Sequence, residues 1–286
     1  MMPAVPMPSG ADRRRSIVGD PIVGDLGAPV TIPRMQVVVL AKQIPDPATP
    51  YRLEPDSHWL IRPAEQVLDD TDRYGVEMGL QLAQANDGTV TLVSMGPAGS
   101  MQGIRQALAM GAAKAVVVDD SALRGSDALL TARVLAAAIA REGFDLVIAG
   151  TESTDGYSGV VPQMIAELLD VPALTYATHI EVGDGKVTIH RQTNTGYEVV
   201  EASLPAVVSV TAGVVEPRYP TFKGIMDAKK KPVENPTLID LGVDPTVGQK
   251  VAAISQAPSR TAGAKIEDDG EAHLKIVELL TQKKVI

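Results

Sequence analysis

The sequence predicts an α/β fold, a doubly wound and mostly parallel sheet with an antiparallel edge and an extended C-terminal arm. Three patterns carry that expectation. Short apolar runs rich in β-branched residues recur, as strands buried on both faces require. Segments of helical spacing separate them, which calls for crossover connections and parallel pairing. After Leu174 the pattern turns to alternation broken by hairpin signals, the mark of antiparallel strands.

Taken in order, residues 1–34 hold Pro3, Pro6, Pro8, Pro21, Pro29 and Pro33 among many glycines. Such a composition buries too little apolar surface to offset the entropy of ordering, so a disordered extension is expected. Met35, directly before the first strand, offers an alternative translation start. Strands are expected over 36–41, 90–95, 115–118, 146–149 and 206–210, and helices over 67–85, 101–110, 127–140 and 160–169. Asp69-Asp-Thr-Asp72 opens the first helix, where acidic side chains complement the dipole. The runs 179–182, 187–192 and 198–204 alternate, with Gly183-Asp-Gly185 and Asn194-Thr-Gly196 between them. Beyond Val215 the chain is stepped by Pro217, Pro220, Pro232, Pro236, Pro245 and Pro258, until Leu274, Ile276, Val277, Leu279 and Leu280 define a terminal helix over 271–282. An apolar helix on such an arm is expected to lie on a partner. The resulting division is an extension over 1–34, a nucleotide-binding lobe over 35–214 and a partner-wrapping arm over 215–286.

Composition narrows the function. With 26 basic and 35 acidic residues the chain carries a formal charge of −9, which argues against binding nucleic acid through its phosphates. Lys229, Lys230 and Lys231 form a basic cluster and read as a solvated face, with steering of an acidic partner as the lesser reading. The absence of cysteine removes disulfides, thiolate nucleophiles and thiolate metal sites together. No apolar run is long enough to span a bilayer, so membrane insertion is not expected. Acidic residues and prolines interrupt the first 34 residues before any signal or transit pattern forms, which points to a cytoplasmic location.

In an open parallel sheet, ligands bind outside the carboxyl ends of the strands where strand order reverses. Lys42-Gln-Ile-Pro-Asp46, Gly96-Pro-Ala-Gly99 and Gly150-Thr-Glu-Ser-Thr-Asp-Gly-Tyr-Ser-Gly159 emerge there. The third leads directly into a helix, whose unsatisfied N–H groups and dipole suit one phosphate. Neither a triphosphate-binding Gly-x-x-x-x-Gly-Lys nor a dinucleotide-binding Gly-x-Gly-x-x-Gly follows a strand. An ordinary βα turn is the competing reading of each loop. The histidines at 58, 179, 190 and 273 lack metal-ligand spacing, no metal site is expected, and no Gly-x-Ser-x-Gly elbow supports a nucleophilic serine. No catalytic residue is therefore assigned.

Several stretches together resemble the β subunit of electron transfer flavoproteins. They are Val37-Val-Val-Leu-Ala-Lys-Gln-Ile-Pro-Asp46, Ser94-Met-Gly-Pro97, Ala107-Leu-Ala-Met-Gly-Ala112 and Ala149-Gly-Thr-Glu-Ser-Thr-Asp155. Most telling is Val215-Glu-Pro-Arg-Tyr-Pro-Thr-Phe-Lys-Gly-Ile-Met-Asp-Ala-Lys-Lys-Lys231, followed by Leu241-Gly-Val-Asp244 and Arg260-Thr-Ala-Gly263. The order and spacing of these motifs cover nearly all of 35–286.

The resemblance implies a Rossmann-like lobe of the adenine nucleotide hydrolase type that holds a structural AMP, and an α-subunit partner that holds most of the FAD. It implies an electron carrier without bond chemistry of its own, accepting electrons from acyl-CoA and related dehydrogenases and delivering them to a membrane quinone oxidoreductase. Position by position it assigns AMP contacts to Leu40, Asp69, Met95, Gly150, Asp155, Ser158, Gly159, Val160 and Val161. Gln192 would lie near the flavin, and Phe222, Ile225 and Met226 would face the dehydrogenase. The sequence departs from the family at Pro47, where many members carry an aromatic residue, and at Gln192, where a glutamate is frequent. Two other readings stand beside this one: a bifurcating-type subunit with a second FAD and NADH as donor, and a standalone nucleotide-binding stress-type module.

Overall fold

The structure is a computed structural model that describes residues 34–255, 262–268 and 270–286. Apart from Arg34, the expected N-terminal extension lies outside the described residues, as do Arg260 and Thr261 of the quoted motif.

In chain order the strands are β1 (Gln36–Leu40), β2 (Gln43–Ile44), β3 (Val67–Leu68), β4 (Thr89–Met95), β5 (Lys114–Val118), β6 (Leu146–Gly150), β7 (Ala173–Gly183), β8 (Lys186–Thr193), β9 (Gly196–Ser203), β10 (Ala206–Val210) and β11 (Val233–Glu234). The α-helices are α1 (Asp70–Ala85), α2 (Gln102–Met110), α3 (Ala128–Glu142), α4 (Val161–Leu168), α5 (Phe222–Ala228), α6 (Leu238–Leu241) and α7 (Ala272–Gln282). The main sheet is nine-stranded in the order β11-β5-β4-β1-β6-β10-β7-β8-β9. Every pairing from β11 through β7 is parallel, and β8 and β9 complete it antiparallel. The predicted fold class is thus what the chain adopts.

Alternation along the strands builds a core on each face. Val37 and Val39 of β1 point with Leu92, Val117 and Ile148 toward the side packed by α1 and α2. Val38, Val93, Val116 and Val147 point the other way, onto Leu130, Leu135 and Ile139 of α3 and Ile165 of α4. Close approach of α1 to the sheet depends on Gly79, where an added Cβ would stand 2.6 Å from a methyl of Val39.

Several elements differ from their sequence reading, each for a local reason. The first helix begins at Asp70, not at 67, because Val67 and Leu68 pair antiparallel with Gln43 and Ile44 and Asp69 then caps the helix. Strand β7 starts at Ala173, where Leu174 and Ala177 supply the buried positions of a longer strand. Within 215–241 the prolines concealed α5, β11 and α6, and β11 adds to the sheet beside β5. Thr221 and Thr237 cap the two short helices, the latter in a capping box with Asp240.

Candidate nucleotide-binding cleft

From β1 the chain adds β4 and β5 on one side and then returns to the other side of β1 with β6. Strand order therefore reverses at β1, and a ligand crevice is expected outside its carboxyl end. A cleft of about 320 Å³ lies there. Its floor is Leu40, Ala41, Ser94, Met95 and Gly150 at the strand ends; one wall is Ser126, Ala128, Thr131 and Leu135 around the start of α3. The other wall is the loop from Thr151 through Gly159 to Pro162.

Buried charges hold that loop in place. Asp69 is 0% exposed, and its carboxylate accepts hydrogen bonds from the Thr71 amide and hydroxyl and from the Thr154 amide (2.7 Å) and hydroxyl (3.1 Å). The α1 cap is thus also the anchor of the β6–α4 loop. One residue along, the Asp155 carboxylate receives the Lys42 ammonium at 2.6 Å on one oxygen and the Arg62 guanidinium on the other. Burial pushes the Asp155 carboxyl up, but the charges of Lys42 and Arg62 more than offset it and hold it below the usual carboxylate range.

Asp72 has the opposite character. It is 7% exposed, it lines the cleft, and it accepts the Lys42 backbone N–H at 2.6 Å. Burial, helped by the nearby Asp69 charge, pushes its carboxyl well above the ordinary range.

The cleft ends at the start of α4. This helix has no side-chain cap at Val160, and Gly159 enters it at φ 64°, a conformation that favours glycine. Its first amides consequently lack the side-chain acceptor that Asp69 gives α1 and Asp127 gives α3. Glu152 stands at the same rim, its carboxylate 3.3 Å from where a Cβ on Gly159 would be.

Of the predicted contacts, Leu40, Met95, Gly150, Ser158, Gly159 and Val161 line the cleft. Asp69 and Asp155 lie behind the loop as its anchors, and Val160 is the cap position of α4. Gln192 is elsewhere, exposed on β8 opposite Tyr197 of β9. Phe222, Ile225 and Met226 occupy α5, exposed by 82%, 48% and 48%. Sequence reasoning missed Asp72, read as a dipole charge, although its place three residues past the cap turns it inward. It also missed Arg62, whose irregular surroundings carry no pattern. Among the described residues no group of three or more His, Asp or Glu side chains is placed to hold a metal ion, and no helix is long and apolar enough to cross a membrane.

Residues 58–241 match the model of the electron transfer flavoprotein domain. The chain belongs to the electron transfer flavoprotein family, as a member of its β-subunit branch. It is 43% identical over 263 residues to the electron transfer flavoprotein subunit beta of Mycobacterium bovis, covering 87% of this chain and 99% of that one. The corresponding subunit of Megasphaera elsdenii is 35% identical over 274 residues, covering 88% of this chain and 100% of the relative. A third relative, subunit CarD of the caffeyl-CoA reductase-Etf complex of Acetobacterium woodii, is 36% identical over 214 residues, covering 74% and 81% of the two chains. These matches place the protein among electron-transfer flavoproteins, with electron carriage as its role.

Proposed function

We propose that this electron transfer flavoprotein chain pairs with an α subunit, binds AMP in the cleft outside β1 and β6, and helps enclose the FAD held mainly by that partner. The observation that carries the reading is the cleft itself. Its apolar floor of Leu40, Ala41 and Met95 suits a planar base, and the carboxyls of Asp72 and Glu152 can accept from ribose hydroxyls. The uncapped start of α4 suits a phosphate. A volume near 320 Å³ is at the small end of ligand sites, which favours a mononucleotide over a dinucleotide.

Bound FAD supplies the redox chemistry; this chain's residues position the nucleotide and the partners. The apolar face of α5 serves as the docking surface for an acyl-CoA dehydrogenase, and delivery is to a membrane quinone oxidoreductase. No residue of α7 is buried, and Leu274, Ile276, Val277 and Leu279 are about half exposed, which supports an arm that wraps the α subunit. Similarity to a subunit of a caffeyl-CoA reductase-Etf complex favours a second reading, in which a second FAD replaces AMP and NADH is the donor.

Acid extraction of nucleotides from the purified heterodimer tests the two. One AMP and one FAD per heterodimer is the expected result. Two FAD without AMP would overturn the AMP assignment in favour of the bifurcating type.

A further inference from the structure

Helix α5 is seven residues long, too short to persist by its own propensity, yet it carries the most exposed phenylalanine of the described chain's apolar surface. What holds it is α2. At Gly224 an added Cβ would stand 2.5 Å from the Ala109 carbonyl oxygen, so the two helices meet at backbone distance. Arg105 of α2 donates from Nη1 to the Ala228 carbonyl at 2.6 Å and to the Lys231 carbonyl at 3.2 Å, closing the end of α5. Lys231 returns the arrangement, donating from Nζ to the carbonyls of Leu108 (2.8 Å) and Ala112 (2.6 Å) at the end of α2. Each helix thus has one carbonyl of its last turn, and one just beyond its end, satisfied by a cation from the other segment, which also complements its negative dipole end. Lys231 is therefore not part of a solvated basic face. Lys223, Lys229 and Lys230 remain exposed around the apolar trio.

We infer that Arg105 and Lys231 are positioning residues for electron-donor docking: their reciprocal clasp fixes α5 on α2, so that Phe222, Ile225 and Met226 meet an apolar pocket with an acidic rim on the dehydrogenase already in their bound arrangement. The inference rests on the reading of α5 as the docking surface. Ordering a short helix at the moment of contact would otherwise be charged against binding, and neither cation touches the nucleotide cleft.

The test uses the complete heterodimer as electron acceptor for an acyl-CoA dehydrogenase reduced by its acyl-CoA. Lys231→Met removes the lysine half of the clasp and Gly224→Ala wedges the helices apart by a different route. Each should raise the KM for the carrier about fivefold or more with kcat within about twofold, since preorganisation acts on association. Flavin absorbance and AMP content should be unchanged, and Lys231→Arg, which keeps a cation, should restore KM. Phe222→Ala, which removes the anchor itself, should raise KM about tenfold, a change equal to about 1.4 kcal/mol. If Phe222→Ala raises KM while Lys231→Met and Gly224→Ala both leave it at the wild-type value, the positioning role is wrong and the docking surface stands. If Phe222→Ala has no effect on KM, the docking surface and the clasp's role both fall.

Discussion

Lys42 and Asp155, 113 residues apart in sequence, form an ion pair of 2.6 Å whose carboxylate is wholly shielded from solvent. The same lysine gives its backbone N–H to Asp72 at 2.6 Å. A single residue in the loop after β1 therefore joins two buried carboxyls, one held ionised by cations and one pushed toward protonation. The loop that forms a wall of the cleft is fastened by the first of these, and the cleft floor by the second.

Removing Asp155 should destabilise the protein in a pH-dependent way. Lys42 and Arg62 would lose their shared partner, and breaking a buried pair costs about 3–5 kcal/mol. Because the two cations are 34% and 25% exposed, Asp155→Ala belongs at the lower end, about 3 kcal/mol. The folded carboxyl titrates below its unfolded value of about 3.9, so this stabilisation is present above that pH and is lost as pH falls further. Urea unfolding at pH 7 and pH 3 should show the mutational penalty shrinking at the lower pH; an equal penalty at both would refute the ion-pair account.

Asp72 should behave in the opposite sense. Its folded pKa is raised, so ionisation of the unfolded chain above about pH 3.9 costs the native state stability, increasingly until the folded group also ionises. Asp72→Asn removes the charge and keeps an oxygen to accept the Lys42 amide. The urea midpoint should rise at pH 7 and match wild type at pH 3. A lower midpoint at pH 7 would mean that the carboxylate is favoured in the fold.

Much of this architecture is legible in the sequence. The runs around Val38, Val117 and Ile148 are apolar throughout, and that around Val93 is interrupted only by Thr91 and Ser94, because both faces of the strands are covered, and that pattern survives in sequence. The loops after β1 and β6 were expected at the carboxyl ends of parallel strands, and six residues named from the family resemblance line the cleft there. What stayed hidden depends on side chains distant in sequence. Nothing near Arg62 marks it as the partner of Asp155. Nor does Lys229-Lys-Lys231 reveal that its last member turns inward to two carbonyls of α2. The short helix α5 escaped notice because prolines at 217 and 220 precede it and seven residues hold too few turns to show a period.

Two glycines should respond oppositely to alanine. At Gly75, in the middle of α1, the nearest atoms to an added Cβ are at 3.7 Å, ordinary contact. Gly75→Ala should therefore gain the helix preference of alanine, about 0.5–1 kcal/mol. At Gly103 the Cβ would meet the backbone nitrogen of Leu68 at 2.6 Å and the carbonyl carbon of Val67 at 2.9 Å, neither of which can rotate away. The Gly103 amide also donates to the buried Gln43 side chain at 2.9 Å, which tethers the helix start in place. Gly103→Ala should cost about 2–3 kcal/mol, as overpacking does. Thermal unfolding of the two variants side by side decides the matter, and shifts of the same sign would count against this packing.

The segment leading to α5 is secured by Arg218 and Glu77, and a double-mutant cycle should show strong coupling between them. Glu77 is 2% exposed on α1, and Arg218 addresses both its oxygens, Nε at 2.6 Å and Nη2 at 2.9 Å, while the Arg218 amide adds a third bond at 3.2 Å. Burial alone would raise the Glu77 carboxyl, but the bonds from Arg218 and Gln81 reverse that and hold it below its ordinary value. Arg218→Met leaves a buried carboxylate with Gln81 and one backbone amide, and should cost about 3–5 kcal/mol. Glu77→Met should cost less, because the guanidinium is 34% exposed and can turn to water. The double Met variant leaves no unpaired charge, so its loss should fall short of the sum of the single losses by more than about 1 kcal/mol. Additive losses in urea unfolding would mean that the two side chains lie close without supporting each other, and that the approach to α5 is held by the backbone amide alone.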